Sequence, residues 1–408
     1  MRSGRTVGAV ALLMGFLRMA AAHDLGYALT HGNVDFSLRP RYETVTQPGK
    51  DRAQALTLRT LFGYETASYD RLRVMLQLIN VASLVSHYNS LLNQETRYPV
   101  IADPAATNVN QAYVSFRGLP ATTLRAGRQI IILNNGRFVG NAGFRQNMQT
   151  FDAVSAKNQS IRGLTLYGAY SWRLKDILDA LVPVRVGLVN VRYQLAPKTA
   201  VSVYSYTYEN RAHTIIPGAA SCGLAGDPGV CNSETAGIRF AGQAPVAPDL
   251  RLLYTADYAR QWPEAGGSPL IEARYYHAGG GLGLGPAFIR ADYAVMGSNA
   301  AGTYGFQTPL ATKHAFNGWA EVFLVTPPAG LRSSYVTVGT RFFGTHLMAR
   351  YYRFAAAHTA LRYGHEYDLS LLYPVRPGLS AGVQYANYRA DHYAVNTQAG
   401  WVFLSYHY

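Results

Sequence analysis

The feature that most constrains this chain is a two-residue alternation of apolar and polar side chains that recurs along nearly its whole length. In residues 71–78 the even positions are Leu, Val, Leu and Leu, and the odd positions are Arg, Arg, Met and Gln. The same alternation occurs in residues 34–41 and 287–295. This period is that of a β-strand with one apolar and one polar face. Beyond the N-terminus, no stretch approaches the ~18 consecutive apolar residues of a membrane-spanning helix.

Eighteen segments with this period are predicted to be strands: about 33–43, 54–65, 70–81, 109–117, 121–130, 149–156, 161–171, 184–194, 199–209, 235–242, 250–260, 270–277, 286–296, 332–342, 345–354, 363–373, 378–389 and 396–408. Every second connection is short, and the longer ones include residues 82–108, 131–148, 210–234 and 297–331. An even strand number with alternating short turns and long loops is typical of a bacterial outer-membrane β-barrel, whose short turns and termini lie on the periplasmic side.

The polar face of these segments distinguishes a barrel from a soluble β-sandwich. Nearly every predicted strand carries Arg, Asp, Glu, Gln or Tyr on that face, whereas a sandwich buries apolar side chains between its sheets. An 18-stranded barrel encloses an aqueous lumen for polar side chains, and its closure pairs every backbone group in lipid. The sequence therefore predicts an all-β fold, a transmembrane outer-membrane barrel of about 18 antiparallel strands. Residues 23–408 form its one domain.

The N-terminus has the pattern of a secretory signal peptide over residues 1–22. Arg2 and Arg5 precede an uncharged run at residues 7–17, and small alanines follow before a cleavage site. Export places the chain in an oxidising compartment, so its two cysteines, Cys222 and Cys231, are predicted to form a disulfide within a loop. The predicted destination is the outer membrane of a Gram-negative cell. The final segment ends at Tyr408 and resembles the aromatic-terminated strand by which barrels are recognised by their assembly machinery.

Tyrosine and arginine dominate the polar composition. The 30 tyrosines suit the two interfacial girdles of a barrel, because each combines an apolar ring with a polar hydroxyl. Five of the 37 basic residues are lysines, so the other 32 are arginines, and they are spread singly along the chain. This distribution disfavours a nucleic-acid partner. A guanidinium binds carboxylates in a bidentate manner, and basic residues outnumber the 23 acidic ones, so the lumen is predicted to prefer anions.

The charged residues at the polar positions of the alternation are predicted to line the pore. The basic ones are Arg39, Arg41, Arg59, Arg71, Arg73, Arg239, Arg274, Arg290, Arg341 and Arg350. The acidic ones are Asp35, Asp257, Glu272, Asp292, Glu366 and Asp368. Any single arginine could instead pair with an acid across the wall as a structural contact. The prediction of anion preference therefore rests on the set and not on one residue.

No motif in the sequence indicates an enzyme, a metal site or a cofactor. The glycine-rich residues 279–285 are interpreted as a turn between strands, because no helix or acidic partner for a dinucleotide follows them. The histidines show neither an HExxH pair nor another metal-ligand spacing. A GxSxG element is absent as well, and an outer-membrane hydrolase would need a Ser/His pair on the lipid-facing wall.

Residues 127–153 and 306–331 are unlike generic barrel sequence. The first contains GRQIIILNNGRFVGN, and the second contains FQTPLAT and HAFNGWA. With residues 38–43, they resemble the alginate-export family of outer-membrane porins. The resemblance implies a monomeric barrel that passes an acidic polysaccharide or smaller anions through an Arg-lined constriction. The motif residues that it carries over are Arg128, Arg137, Arg145, Asn147, Gln149, Asp152, Gln307, His314, Asn317 and Trp319.

The leading functional expectation is a passive outer-membrane channel for carboxylated sugars or other small anionic solutes. The alternative is an exporter of an acidic exopolysaccharide that works with a periplasmic secretion partner. The alginate exporter itself has a long periplasmic loop near its C-terminal end, whereas here that connection is residues 374–377, which argues against alginate and against coupling to a secretion machine. The two motif segments are expected either to narrow the lumen or to pack together as a structural plug.

Overall fold

The computed structural model describes residues 22–212, 222–226 and 228–408, which form a closed antiparallel sheet of 18 strands. A short helix, α1 (Ala22–Thr30), precedes the sheet. The strands are β1 (Asn33–Thr46), β2 (Ala53–Glu65), β3 (Leu72–His87), β4 (Ala106–Phe116), β5 (Thr122–Gln129), β6 (Thr150–Asn158), β7 (Leu164–Lys175), β8 (Leu181–Ala196), β9 (Thr199–Asn210), β10 (Ser233–Ala247), β11 (Leu250–Pro263), β12 (Ala273–Leu284), β13 (Ala287–Met296), β14 (Leu331–Phe342), β15 (Thr345–Ala355), β16 (Arg362–Arg376), β17 (Leu379–Ala390) and β18 (Thr397–His407).

Each strand pairs with its neighbours in sequence, and β1 pairs with β18 to close the cylinder. The predicted all-β barrel of 18 antiparallel strands is therefore confirmed. Closure leaves no free sheet edge, so every strand finds backbone partners on both sides. Residues 1–21, which hold all but the last residue of the predicted signal peptide, lie outside the described residues. Within the described part of the chain, no helix is long and apolar enough to cross a membrane.

The pleat of each strand separates an outward from an inward face. In β3, Leu72, Val74, Leu76 and Leu78 are exposed on the outer wall, whereas Met75, Gln77 and Ile79 are buried inside. Exposed tyrosines lie toward both ends of the outer wall, among them Tyr170, Tyr258 and Tyr276 at one end and Tyr193 and Tyr373 at the other. A continuous apolar band between aromatic girdles is the surface that lipid requires.

The two ends of the barrel differ in the length of their connections. At one end all the turns are short, such as residues 197–198 and 343–344, and this end also holds the start of β1. At the other end lie the long connections, residues 88–105, 130–149, 211–232 and 297–330. The predicted alternation of turn and loop length is thus confirmed. Cys222 and Cys231 are joined by a disulfide within the described part of loop 211–232.

The glycine-rich run is part of a strand, so its interpretation as a turn is wrong. Residues 279–284 belong to β12, and the turn is confined to residues 285–286. The inward glycines of this run leave room for neighbouring strands: a Cβ on Gly281 would collide with the backbone of β13, and one on Gly283 with the side chain of Arg251. Close approach of neighbouring chains is a common reason for glycine inside a strand.

Substitution of Gly281 by alanine is expected to destabilise the barrel by about 1–3 kcal/mol, because the methyl group overlaps the carbonyl oxygen of Ile289 and the Cα of Arg290. Gly280→Ala is the matched control, since its Cβ would meet only the Leu253 carbonyl oxygen at 3.9 Å. The temperature at which the folded, fast-migrating form converts to the unfolded form in gel electrophoresis measures both variants. Equal melting of the two variants would contradict this packing.

Candidate permeation pathway

Two long loops fold into the lumen and bind each other there. Residues 130–149 and 297–330 are joined by a parallel bridge between Val139 and Leu310. The Gly140 N–H donates to the Leu310 carbonyl (2.9 Å), and the Thr312 N–H donates to the Gly136 carbonyl (2.9 Å). Backbone groups removed from water must find partners, and these loops supply them to each other. We call these two loops together the strap.

One side of the strap packs on an aromatic part of the inner wall. Measured between centroids, the ring of Phe138 lies 5.5 Å from Tyr204 and 5.2 Å from Tyr275 of the wall, and 5.9 Å from Phe306 of the strap itself. Buried Ile131, Phe151 and Leu310 belong to the same apolar cluster. The expectation that the inward face meets water or other polar groups throughout is therefore wrong along this wall, because the strap brings its own apolar residues into the barrel.

The opposite side of the strap is bound by arginines of β1. The guanidinium of Arg39 donates to the carbonyls of Gly143 (2.9 Å), Phe144 (2.9 Å) and Arg145 (2.6 Å), and also to the side-chain oxygen of Gln146 (3.0 Å). A guanidinium suits this role because its five N–H groups point in fixed directions. Arg39 is thus an anchor for the strap, and its hydrogen bonds are occupied.

A buried ionic cluster ties the strap to β1 and to loop 88–105. Arg41 contacts Asp103 and lies 3.0 Å from Glu43, and Arg145 lies 3.3 Å from Asp103 and contacts Glu321. Burial alone opposes ionisation of Asp103, but the positive charges of Arg41 and Arg145 outweigh it and hold the pKa of Asp103 below its usual value. The cluster is therefore charged at neutral pH, with opposite charges in direct contact.

An aromatic stack joins the two loops of the strap. The imidazole of His314 lies parallel to the ring of Phe144 at 3.3 Å and stacks on Trp319 at 5.9 Å. Its Nδ1 lies 2.9 Å from a carboxylate oxygen of Glu321. Burial, followed by the charges of Arg145 and Arg41, lowers the pKa of His314 well below its usual value. His314 is therefore neutral and acts as a packing residue in the strap.

The remaining motif residues bind backbone groups inside the strap or beside it. Gln149 donates to the carbonyls of Gly140 and Leu310, Asn147 to that of Pro104, and Gln307 to that of Gly305. Arg137 donates to the side chain of Asn317 and lies over the rings of Tyr275 and Phe316. These side chains supply hydrogen bonds to backbone groups in or beside the strap that have no neighbouring strand to pair with.

Several arginines that were predicted to line the pore pair with acids on the wall. Arg239 lies 3.0 Å from Asp257, and Arg290 lies 2.6 Å from Asp292, which also contacts His277. Arg350 donates to Thr337 and Tyr352. Arg59 is buried with two nitrogens that have no partner among the described residues, and Arg341 is exposed near the short-turn end.

Arg274, Arg128 and Asp152 do not line the lumen, which corrects all three assignments. Arg274 is on the outward face of β12, because the buried Tyr275 beside it faces the strap. Arg128 is on the outward face of β5 and binds Asp152 through two hydrogen bonds of 2.7 and 3.1 Å. At the loop end of β12 the inward residues Ala273 and Tyr275 are the less polar ones, so the assumption that the polar positions face inward fails there.

A set of unpaired basic side chains lines a cavity between the wall of β4–β8 and the strap. We call Arg117, Arg125, Lys157 and Arg192 the basic track. Together with residues 129–134 of β5 and the strap, they surround a cavity of about 420 Å³ that also exposes polar groups such as Ser155 and Asn190. No ion pair involves the track among the described residues, and no carboxylate lines this cavity. The track therefore presents uncompensated positive charge to the lumen.

The basic track is not among the residues predicted from the sequence, although a signal for it is present. Arg125 alternates with the outward Leu124 and Ala126, and Lys157 alternates with the outward Ala156. Lys157 pairs across strands with Thr123 on one side and Tyr167 on the other, which is a polar row. Among the described residues, no group of three or more His, Cys, Asp or Glu is placed to hold a metal ion.

The fold of this chain is similar to that of several solved structures. OpdK of Pseudomonas aeruginosa, solved with vanillate, matches with a TM-score of 0.71 at 14% sequence identity, over 93% of this chain and 99% of OpdK. OccK9 (OpdG) of the same organism matches at 0.69 and 17%, over 93% and 99%. OccAB4 of Acinetobacter baumannii matches at 0.71 and 13%, over 92% and 97%. At this level of identity the likeness shows the fold, that of outer-membrane porins.

The resemblance to the alginate-export family is wrong. No family model matches the chain, and no curated protein matches its sequence. Solved structures to which it is similar include several Occ and Opd porins. Residues 127–153 and 306–331, which suggested that family, are largely the strap with its flanking strand residues, and their Arg, Asn and Gln side chains serve to anchor an inward-folded backbone.

Replacing Arg145 with glutamine is expected to loosen the strap. Removal of one member of a buried ion cluster costs about 3–5 kcal/mol, because it leaves uncompensated charge on Asp103 and Glu321. Single-channel recording should then show higher conductance and more frequent current fluctuations. Arg97→Gln is the control, since Arg97 and Glu95 form an exposed pair in loop 88–105 at 3.2 Å, and such pairs contribute at most about 1 kcal/mol. Recordings indistinguishable from wild type would contradict the anchoring role.

The pH dependence of the strap follows from Asp103. Its pKa in the folded barrel is lower than in the unfolded chain, so its stabilising charge is complete above the usual carboxylate value of ~3.9 and is lost as pH falls through the lower folded value. Conductance should therefore stay constant from pH 7 to about 4 and rise only below it. Asp103→Asn should show the high conductance already at pH 7. A rise in wild-type conductance between pH 7 and pH 5 would disagree with this assignment.

Proposed function

We propose that this protein is an outer-membrane channel for passive passage of small anionic solutes, carboxylates in particular. The observation that carries the proposal is the basic track, whose four cations border a lumen cavity without a carboxylate. The outer-membrane location is inferred from the apolar outer wall and from the porin fold. The mechanism requires no covalent chemistry and no cofactor.

The track acts through electrostatics at short range. A unit charge about 6 Å from a solute contributes about 0.7 kcal/mol even at the dielectric constant of water, which concentrates anions about threefold. Low-dielectric walls around the lumen strengthen this field. Arginines can also bind a carboxylate through two parallel hydrogen bonds, and Lys157 adds a point charge. Flux then depends on binding weak enough for release.

The strap supports a small permeant. It crosses the lumen and is anchored by Arg39, by Arg145 and by its own backbone bonds, so the path runs beside it. The adjoining cavity of about 420 Å³ suits a molecule of a few rings or fewer. OpdK, one of the porins with this fold, was solved with vanillate, a small aromatic carboxylate. We therefore expect monocarboxylates of that size to be better permeants than polymers.

Neutralising the track is expected to remove the anion preference. A variant with Arg117, Arg125, Lys157 and Arg192 changed to glutamine should lower the anion-to-cation permeability ratio by about tenfold or more, given about threefold for each charge. Reversal potentials in a KCl gradient measure this ratio, and vanillate serves as a test permeant. The control variant changes Arg173, Arg185, Arg211 and Arg260, four exposed arginines near the long-loop end. A preserved ratio in the track variant would refute the proposal.

Besides the basic track, Lys313 of the strap contributes a positive charge that depends on pH. Its side chain forms no ion pair with the described residues, and burial lowers its pKa to about 8. A lysine with a lowered pKa is charged below that value and neutral above it, so anion preference should decline between pH 7 and pH 9. Lys313→Met should lack this step while retaining the contribution of the track. An identical pH profile in both proteins would exclude Lys313 from the pathway.

A further inference from the structure

The outer wall carries a second set of unpaired arginines, on β14–β17 near the long-loop end. Four residues align directly across these strands and face outward: Ser334, Arg353, His365 and Arg389. Arg332 lies two residues from Ser334 on the same face, and Arg362 lies at the start of β16. We call Arg332, Arg353, Arg362 and Arg389 the outer arginine patch.

The patch borders a pocket of about 600 Å³ on the outside of the barrel. Arg332, Arg353, Arg362 and His365 line this pocket, and Asp391 is the single carboxylate among its described lining residues. Arg353 and Arg389 flank His365 across the sheet, so their strands are about 10 Å apart. No member of the patch forms an ion pair with a described residue, and Arg353 lies over the ring of Tyr351.

Three other exposed arginines at this end of the barrel are paired, whereas Arg274, also exposed here, forms no ion pair with a described residue. Arg185 and Arg211 lie 3.8 and 3.9 Å from Glu209, and Arg260 lies 3.3 Å from Glu272. The four arginines of the outer arginine patch therefore differ from these three in having no ion pair with a described residue, and their charge is available to a ligand.

Outward-facing residues that align across β14–β17 form rows, and these rows become more apolar with distance from the patch. The next outward row holds Val336, Tyr351, Tyr367 and Asn387, and the following row holds Val338, Ala349, Leu369 and Tyr385. Successive rows are about 7 Å apart along a strand. The patch thus lies one row beyond the tyrosines of the interfacial girdle, at the level of lipid headgroups.

An apolar trough lies on the same strands, below the arginine pocket. Its volume is about 640 Å³, and its outward lining includes Val338, Ala349, Leu369 and Leu371. The small side chain of Ala349 lies between the larger Val338 and Leu369, which makes the depression. A lipid acyl chain is the apolar group that reaches this wall in a membrane.

We infer that β14–β17 form a binding site for a lipid with phosphate on its headgroup, the phosphate in the arginine pocket and an acyl chain in the trough. Guanidinium groups bind phosphate oxygens through charge-assisted hydrogen bonds, which accounts for arginines without acidic partners. If the long loops face outward, as in other outer-membrane barrels, the lipid belongs to the outer leaflet. The site is separate from the lumen and does not depend on the proposed channel function.

Binding of lipid A to the folded protein in detergent, measured by native mass spectrometry, tests this inference. Wild-type protein is expected to retain lipid A that carries both phosphates and to release lipid A from which the phosphates have been removed. Inorganic phosphate at millimolar concentration should not displace the lipid, because it lacks the acyl contact. Equal retention of the two lipids, or displacement by free phosphate alone, would overturn the inference without the use of any variant.

Variants locate the site. Changing Arg332, Arg353 and Arg389 to glutamine should weaken binding of phosphorylated lipid A by about a hundredfold, at about fivefold for each arginine near a membrane surface. Ala349→Phe fills the trough and should also weaken binding. The matched control changes the paired Arg185, Arg211 and Arg260 to glutamine and should stay within about threefold of wild type. An equal loss in the control and the patch variant would show a nonspecific charge effect and would refute the site.

Discussion

The constraint on which this structure depends is that a backbone removed from water must have all its hydrogen bonds satisfied. In the wall, closure of β1 on β18 meets this constraint through strand pairing alone. Inside the lumen, the strap has no sheet to join, so side chains complete its bonding. Arg39, Gln149 and Gln307 donate to its carbonyls, and Val139 and Leu310 bridge its two loops. The concentration of Arg, Asn and Gln in these loops follows from that need.

The arginines of this chain consequently divide by whether their charge is compensated. Arg41 and Arg145 share Asp103, and Arg290 shares Asp292 with His277, so these cations position structure. The basic track inside and the outer arginine patch outside lack acidic partners among the described residues. The same residue type thus acts as an anchor where an acid or a carbonyl accepts its hydrogen bonds. It is available for an external anion where none does.

Much of the fold was predictable because the signal for a strand is local. Alternation gave all eighteen strands, and the lengths of the connections gave the two ends of the barrel. The direction in which each face points was less certain, because parity alone does not distinguish a lipid-facing wall from an apolar inner wall. Arg274 was placed in the lumen for this reason: Tyr275 beside it packs inward against Phe306.

The candidate site was only partly predictable, because it depends on contacts between residues far apart in sequence. The pairing of Arg39 with Phe144, or of Arg145 with Glu321, requires loops to fold inward, and no local pattern signals that. The motif residues of these loops suggested the wrong family. The Arg, Asn and Gln side chains that bind an inward-folded backbone form a pattern similar to that family's motif. The alternation is enough to place Arg125 and Lys157 on an inward face. Their lack of acidic partners is evident only from the three-dimensional arrangement.

The central claim is that anions occupy the lumen beside the basic track. Diffraction from crystals soaked in bromide, with data collected at the bromine absorption edge, tests it directly because bromide marks anion positions without a change in the protein. We predict anomalous peaks inside the barrel within hydrogen-bond reach of Arg125, Lys157 or Arg192. Peaks confined to the outer surface, with none in the cavity between the strap and β4–β8, would contradict the account.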